Sequence, residues 1–180
     1  MGLRLRPTLL ADAVWKVDLE GLWERGIRGI ILDLDNTIAP WRRDEVFPEA
    51  RAWIEAARSR GFRLCLVSNA SSGRRVARVA EALGVAEVGI ATKPFPGAFR
   101  RAMAAMGTTP ESTCAIGDQV FTDMLGANWL GITTILVPPA SPRESPHTRL
   151  VRLIEAPLRR RWSQLVATAS AEAPDGRRGG

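Results

Sequence analysis

Four short polar clusters punctuate the 180-residue chain, each directly after an apolar run: Asp33 and Asp35 in DLDNT, Ser68 in VSNA, Lys93 in ATKP, and Asp118 with Asp123 in GDQVFTD. Carboxylates, a hydroxyl and an ammonium are residue types able to attack an electrophile, exchange protons, hold an oxygen-seeking cation and balance an anion. Any one cluster alone reads as a helix cap or turn former, because Ser, Asn and Asp favour those places. Four of them, each at the carboxyl end of a strand, converge on one site. Lys93 carries extra weight, since Lys16 is the other lysine in a chain that otherwise draws its cations from arginine. A compact point charge, rather than a planar fork, is what such a position selects.

The elements that must position these residues follow from the apolar pattern. GIRGIILDLD reads as a buried strand running into a polar loop. A helix follows from FPEARAWIEAARSRG, with Ala50, Trp53, Ile54 and Ala57 on one face and Gly61 as its stop. The strand FRLCLVS comes next, then a helix over 72–83 ending at Gly84, the strand VGIA, a helix over 95–106 ending at Gly107, and the strand TCAIGD. A helix over 119–128 and the strand ITTILV complete the series. Alternation of this kind implies an α/β fold: a doubly wound parallel sheet between two helical layers, with ligands bound at the carboxyl ends of the strands.

The pattern DLDNT, then the Ser of VSN, the Lys of TKP and GDQVFTD resembles the four motifs of the haloacid dehalogenase (HAD) superfamily, over about residues 29–137. DLDNT with GDQxxTD is similar to the capless IIIA subfamily, in particular to its bacterial YqeG type. The resemblance implies a Rossmann-like core and an Mg2+-dependent phosphatase. Asp33 is then the nucleophile that forms an aspartyl-phosphate, and Asp35 the acid and base that serves the leaving group and the water. Asp33, the backbone carbonyl of Asp35 and Asp118 would hold the metal, with Asp123 in support. Ser68 and Lys93 would bind the phosphoryl group, and Thr37 and Asn69 would hold the loops and the phosphate.

Neither the interval from Asp35 to Ser68 nor that from Ser68 to Lys93 has room for an inserted cap domain. The resemblance therefore implies an open site suited to a bulky substrate, closed if at all by a flap in NTIAPWRRDEVF or by a partner subunit in an oligomer. Phosphatidylglycerophosphate is the substrate that the YqeG type suggests. A phosphatase of nucleic-acid ends and a non-catalytic regulatory module on the same fold are the alternatives.

The chain divides into an N-terminal helical segment (1–28), the core (29–140), a Pro-rich loop with a basic amphipathic segment (141–168), and a disordered tail (169–180). The N-terminal segment has helical spacing at Leu10, Val14, Val17 and Leu22. Leu150, Leu153, Ile154, Leu158 and Trp162, set among arginines, either pack on the core or lie on an anionic membrane surface, and Pro157 should bend or divide that segment. The net charge of +6 favours anionic partners of any kind, so a phosphorylated metabolite, a phospholipid surface and nucleic acid all fit it. No aromatic-rich basic stretch for stacking single strands is present. No apolar run reaches the roughly 18 residues of a membrane span, and the N-terminus is unlike a secretory signal, which points to the cytoplasm. Cys65 and Cys114 lie in apolar runs and read as reduced core thiols. His147, the single histidine, falls outside every motif and receives no catalytic role. Trp41 reads as a packing residue rather than a substrate contact.

Overall fold

The computed structural model describes residues 5–69, 72–142 and 146–171, excepting the side chains of 146, 147 and 163–171. His147 and the tail beyond 171 thus lie outside the described side chains. The chain forms two compact units, residues 1–144 and 145–180.

In the first unit, six parallel strands form one sheet: β1 (Leu9–Leu10), β2 (Gly29–Leu32), β3 (Arg63–Ser68), β4 (Ala86–Ile90), β5 (Thr113–Gly117) and β6 (Thr133–Leu136), in the spatial order β1-β6-β5-β2-β3-β4. Among the described residues, five α-helices accompany them: α1 (Leu19–Glu24), α2 (Pro48–Ser59), α3 (Gly73–Leu83), α4 (Gly97–Met106) and α5 (Leu125–Trp129). This is the doubly wound α/β arrangement that the alternation predicts. From β2 the chain runs outward through β3 to β4, then crosses back to β5 on the other flank of β2. The crevice between β2 and β5 is therefore the topological switch point, where such sheets bind ligands.

The period of two along each strand sorts the core into two layers. Ile30, Leu32, Leu64, Leu66, Cys114 and Ile116 face one cluster, which includes Ala50, Trp53, Ile54 and Ala57 of α2 and Val76, Val79 and Leu83 of α3. Their alternates Ile31, Cys65, Val67 and Ala115 face the other, against Ala98, Phe99, Ala102 and Met103 of α4. Both cysteines are free and buried, and burial pushes each thiol up to about 12, so neither is a reactive thiolate. Gly84 and Gly107 cap α3 and α4 in the left-handed conformation that the glycine stops imply.

Three local expectations are corrected. Among its described residues, the N-terminal segment is helical only at Leu19–Glu24 and a 3-10 turn over Val14–Lys16, whereas Leu9 and Leu10 add an edge strand paired with Ile135 and Leu136. A pairing partner so far along the chain overrides local spacing. The helix expected over 119–128 opens as a π-turn, Val120–Met124, before α5. In the second unit, α6 (Pro146–Ala171) runs through Pro157 undivided, the proline sacrificing one backbone hydrogen bond without ending the helix.

Candidate active site

Each site residue is placed by where its strand ends. Asp33 follows β2 directly, and its N–H donates to the carbonyl of Ile116 on β5 at 3.0 Å, carrying the ladder one residue beyond the strand. Asp118 follows β5 directly. Because Leu32 and Ile116 are register partners, the two carboxylates leave the sheet side by side. Asp123 arrives from the π-turn after β5, and its Oδ2 accepts from the Gln119 N–H at 3.1 Å. Such wide turns recur at functional sites because they redirect a side chain within a helix. Ligand-capable oxygens of Asp33, Asp118 and Asp123 lie within 4.8 Å of one another, and all three residues are buried.

Lys93 comes from the loop after β4 and reaches into this group. Its Nζ donates to Asp33 Oδ1 and to Asp123 Oδ1, each at 2.6 Å. The backbone of Lys93 is fixed by a reciprocal pair of bonds with Asn69: Lys93 N–H donates to Asn69 Oδ1 at 2.8 Å, and Asn69 Nδ2 donates to the Lys93 carbonyl at 3.0 Å. Asn69 thus ties the loop after β3 to the loop after β4. Ser68 ends β3, and its carbonyl accepts from the Ala91 N–H at 2.9 Å. Thr37 Oγ1 donates to Asp33 Oδ2 at 3.3 Å.

Three carboxylates against one ammonium leave the centre with excess negative charge. In the metal-free protein, burial pushes Asp33 up to about 8; Lys93 opposes the rise, while Asp123 and Asp118 add to it. Burial pulls the Lys93 ammonium down, but Asp123 and Asp33 outweigh it and hold its pKa above the ordinary value. An all-oxygen, buried donor set with more carboxylates than cations suits a hard divalent cation such as Mg2+. The residues present therefore fit the metal.

The carboxylate of Asp35 stands apart from that group. It accepts from Arg75 Nη1 through both oxygens at 2.9 Å and from the Arg42 N–H at 2.8 Å. The side chain of Asp35 is thus held outside the group of Asp33, Asp118 and Asp123. Asn36, which holds φ at 61°, takes a bond from Ser141 Oγ at 2.8 Å on its Oδ1, and its carbonyl accepts from the Ala140 N–H at 2.8 Å. The loop after β2 is thereby joined to the one after β6.

Arg75 and Asn36 were not singled out by sequence reasoning. Arg75 did leave a signal: it sits in the first turn of a helix, where the macrodipole disfavours a cation, between the apolar positions Val76 and Val79 and the site loop. Asn36 has no comparable mark, since Ser141 and Ala140, which bind its side chain and carbonyl, lie about a hundred residues downstream. The interval from Asp35 to Ser68 holds α2, and that from Ser68 to Lys93 holds α3 and β4, with no inserted cap among the described residues.

Fold and site together define a HAD-type phosphatase: the chain belongs to the haloacid dehalogenase-like hydrolase family, whose model matches residues 39–131. The probable phosphatase YqeG of Bacillus subtilis is 39% identical over 149 residues, 83% of this chain and 86% of that one. A phosphoserine phosphatase of Thermus thermophilus is 34% identical over 63% of this chain and 51% of its own length. Phosphatidylglycerophosphate phosphatase 1 of Arabidopsis thaliana is 28% identical over 81% of this chain and 44% of its own length. Among solved structures, the cobalt-bound deoxy-D-mannose-octulosonate 8-phosphate phosphatase YrbI of Haemophilus influenzae superposes with a TM-score of 0.53, at 18% identity, over 63% of this chain and 69% of that one, a likeness of fold.

Proposed function

We propose that the protein is an Mg2+-dependent phosphomonoester hydrolase that works through an aspartyl-phosphate on Asp33. The observation that carries this reading is the buried contact of Lys93 with Asp33 beside Asp118 and Asp123. Held by Asp33, the Asp35 carbonyl and Asp118, Mg2+ would supply the positive charge that lets a carboxylate approach a phosphate dianion. An Asp33 oxygen attacks phosphorus as the bond to the leaving oxygen breaks, and Asp35 gives that oxygen its proton. Asp35 then takes a proton from water, whose oxygen attacks phosphorus; the bond to Asp33 breaks, and inorganic phosphate leaves. Lys93 and Ser68 balance and bind the phosphoryl oxygens, Asn69 fixes the Lys93 loop, Thr37 steadies Asp33, and Asp123 aligns Lys93 and supports the metal.

For the substrate, we favour a lipid-linked phosphomonoester, phosphatidylglycerophosphate foremost. The name of the Arabidopsis relative supports this, as does α6, on which Leu150, Leu153 and Ile154 are exposed at helical spacing, with Arg149, Arg160 and Arg161 exposed beside them. An apolar stripe flanked by cations suits an anionic bilayer surface, and would make a cytoplasmic enzyme peripheral to the membrane. No helix of the described residues is long and apolar enough to cross a membrane.

The test is phosphate release from phosphatidylglycerophosphate in mixed micelles, phosphoserine, a 3′-phosphorylated oligonucleotide and p-nitrophenyl phosphate, with and without Mg2+, for wild type and Asp33→Asn. Mg2+-dependent turnover lost in the variant supports the mechanism, and preference for the lipid supports the substrate. Turnover that survives Asp33→Asn would refute the proposed nucleophile.

A further inference from the structure

Arg75 lies in the first turn of α3 and is 8% exposed, a placement that costs on two counts. A cation there opposes the helix dipole, and a buried guanidinium loses its hydration. Three sets of contacts offset those costs. Nη1 donates to both carboxylate oxygens of Asp35 at 2.9 Å, Nη2 donates to the carbonyl of Arg43, and Nε lies 3.3 Å from Asp44 Oδ1, an ion pair without hydrogen-bond geometry. One planar group thus joins α3, the loop around residues 42–44 and the carboxylate of Asp35. A lysine could not make this set of contacts, since it lacks the fixed fork. The neighbouring Arg78 also pairs with Asp44, at 2.7 Å, but its side chain is 63% exposed and it has no bond to Asp35.

We propose that Arg75 is a positioning residue for the proton transfer. Together with the Arg42 N–H, it holds the Asp35 carboxylate in a single orientation. Arg75 touches no reacting atom and acts through Asp35, so the inference rests on the reading of Asp35 as the acid and base.

The leaving group separates positioning from a merely structural role. An alkoxide needs a proton as it departs, whereas p-nitrophenolate leaves as a stable anion. We therefore compare kcat/KM, which reports the first chemical step, on glycerol phosphate and p-nitrophenyl phosphate for wild type, Asp35→Asn, Arg75→Gln, Arg75→Lys, the Asp35→Asn/Arg75→Gln double variant and Arg78→Gln. Arg75→Gln should lose at least about tenfold more on glycerol phosphate than on p-nitrophenyl phosphate, within the roughly 10²–10⁴ that a general acid contributes. Asp35→Asn should show the same bias, the double variant should be no worse than Asp35→Asn, and Arg78→Gln should match wild type on both substrates. Arg75→Lys, which keeps the charge without the fork, gives the same readout if Arg75→Gln does not fold. Equal losses on both substrates, or an independent further loss in the double variant, would overturn the inference while leaving Asp35 in its role. An Asp35→Asn variant without leaving-group bias would overturn both.

Discussion

Lys93 and Asp33 meet at 2.6 Å in a contact where neither residue is more than 7% exposed, and the same ammonium reaches Asp123 at the same distance. One cation thus holds together two of three carboxylates that would otherwise repel one another. Lys93→Met should destabilise the metal-free protein by about 3–5 kcal/mol, the usual cost of breaking a buried pair. Denaturant midpoints with EDTA and with Mg2+ would check this, and added Mg2+ should recover part of the loss. Turnover should fall by roughly 10²–10³, as when one preorganised charge is removed from a transition state.

The raised pKa of Asp33 fixes a pH dependence. Its folded value of about 8 exceeds the ordinary 3.8, so between these limits the folded metal-free protein binds more protons than the unfolded chain. Stability must then fall as pH rises from about 4 to about 8, by on the order of a few kcal/mol. Thermal unfolding in EDTA across that range should show the decline, Asp33→Asn should flatten it, and saturating Mg2+ should oppose it most at the alkaline end. A decline unaltered in Asp33→Asn would assign it to other groups.

Metal binding has its own readout. Mg2+ at 100 times its Kd should stabilise the wild type by about 2.7 kcal/mol. Asp118→Asn, which removes a fully buried ligand candidate, should abolish most of that gain as well as turnover. Calorimetric titration measures the first effect without relying on activity.

Gly117 provides a steric test. A Cβ at this position would overlap the Asp123 carboxyl group, which in turn is bonded to Lys93 and Gln119. Gly117→Ala should cost about 1–3 kcal/mol through overpacking and lower kcat by at least about tenfold by displacing Asp123. Unchanged kcat would show that the position of Asp123 is not critical.

If α6 meets the bilayer, Leu150, Leu153 and Ile154 carry the apolar part of that contact. Replacing all three with serine should reduce co-sedimentation with phosphatidylglycerol vesicles several-fold while leaving p-nitrophenyl phosphate hydrolysis unchanged. Equal sedimentation of both proteins would remove the helix from the account.

The sheet and the site were legible where the signal was local. Ile30 to Leu32, Leu64 to Val67 and Cys114 to Ile116 announce strands by their apolar runs, and Asp33, Ser68 and Asp118 could be placed because each stands at or just after a strand end. What escaped depends on partners distant in the chain. The strand at Leu9–Leu10 exists because Ile135 and Leu136 offer an edge, and the buried state of Arg75 depends on Asp35, 40 positions away. The π-turn that aims Asp123 lacks any residue pattern separating it from an α-turn, because its apolar spacing serves both.

The register of β2 against β5 has a consequence for how such a protein changes over time. Asp33 and Asp118 are anchored to paired strands, β2 itself lying between β3 and β5, whereas the loop around Arg42, Arg43 and Asp44 is secured mainly by side chains. Asp33 and Asp118 are thus placed by backbone pairing, whereas Asp35 is held by contacts with that loop and with Arg75. Mutation in the loop can alter how Asp35 is held while descendants inherit an unaltered placement of Asp33 and Asp118.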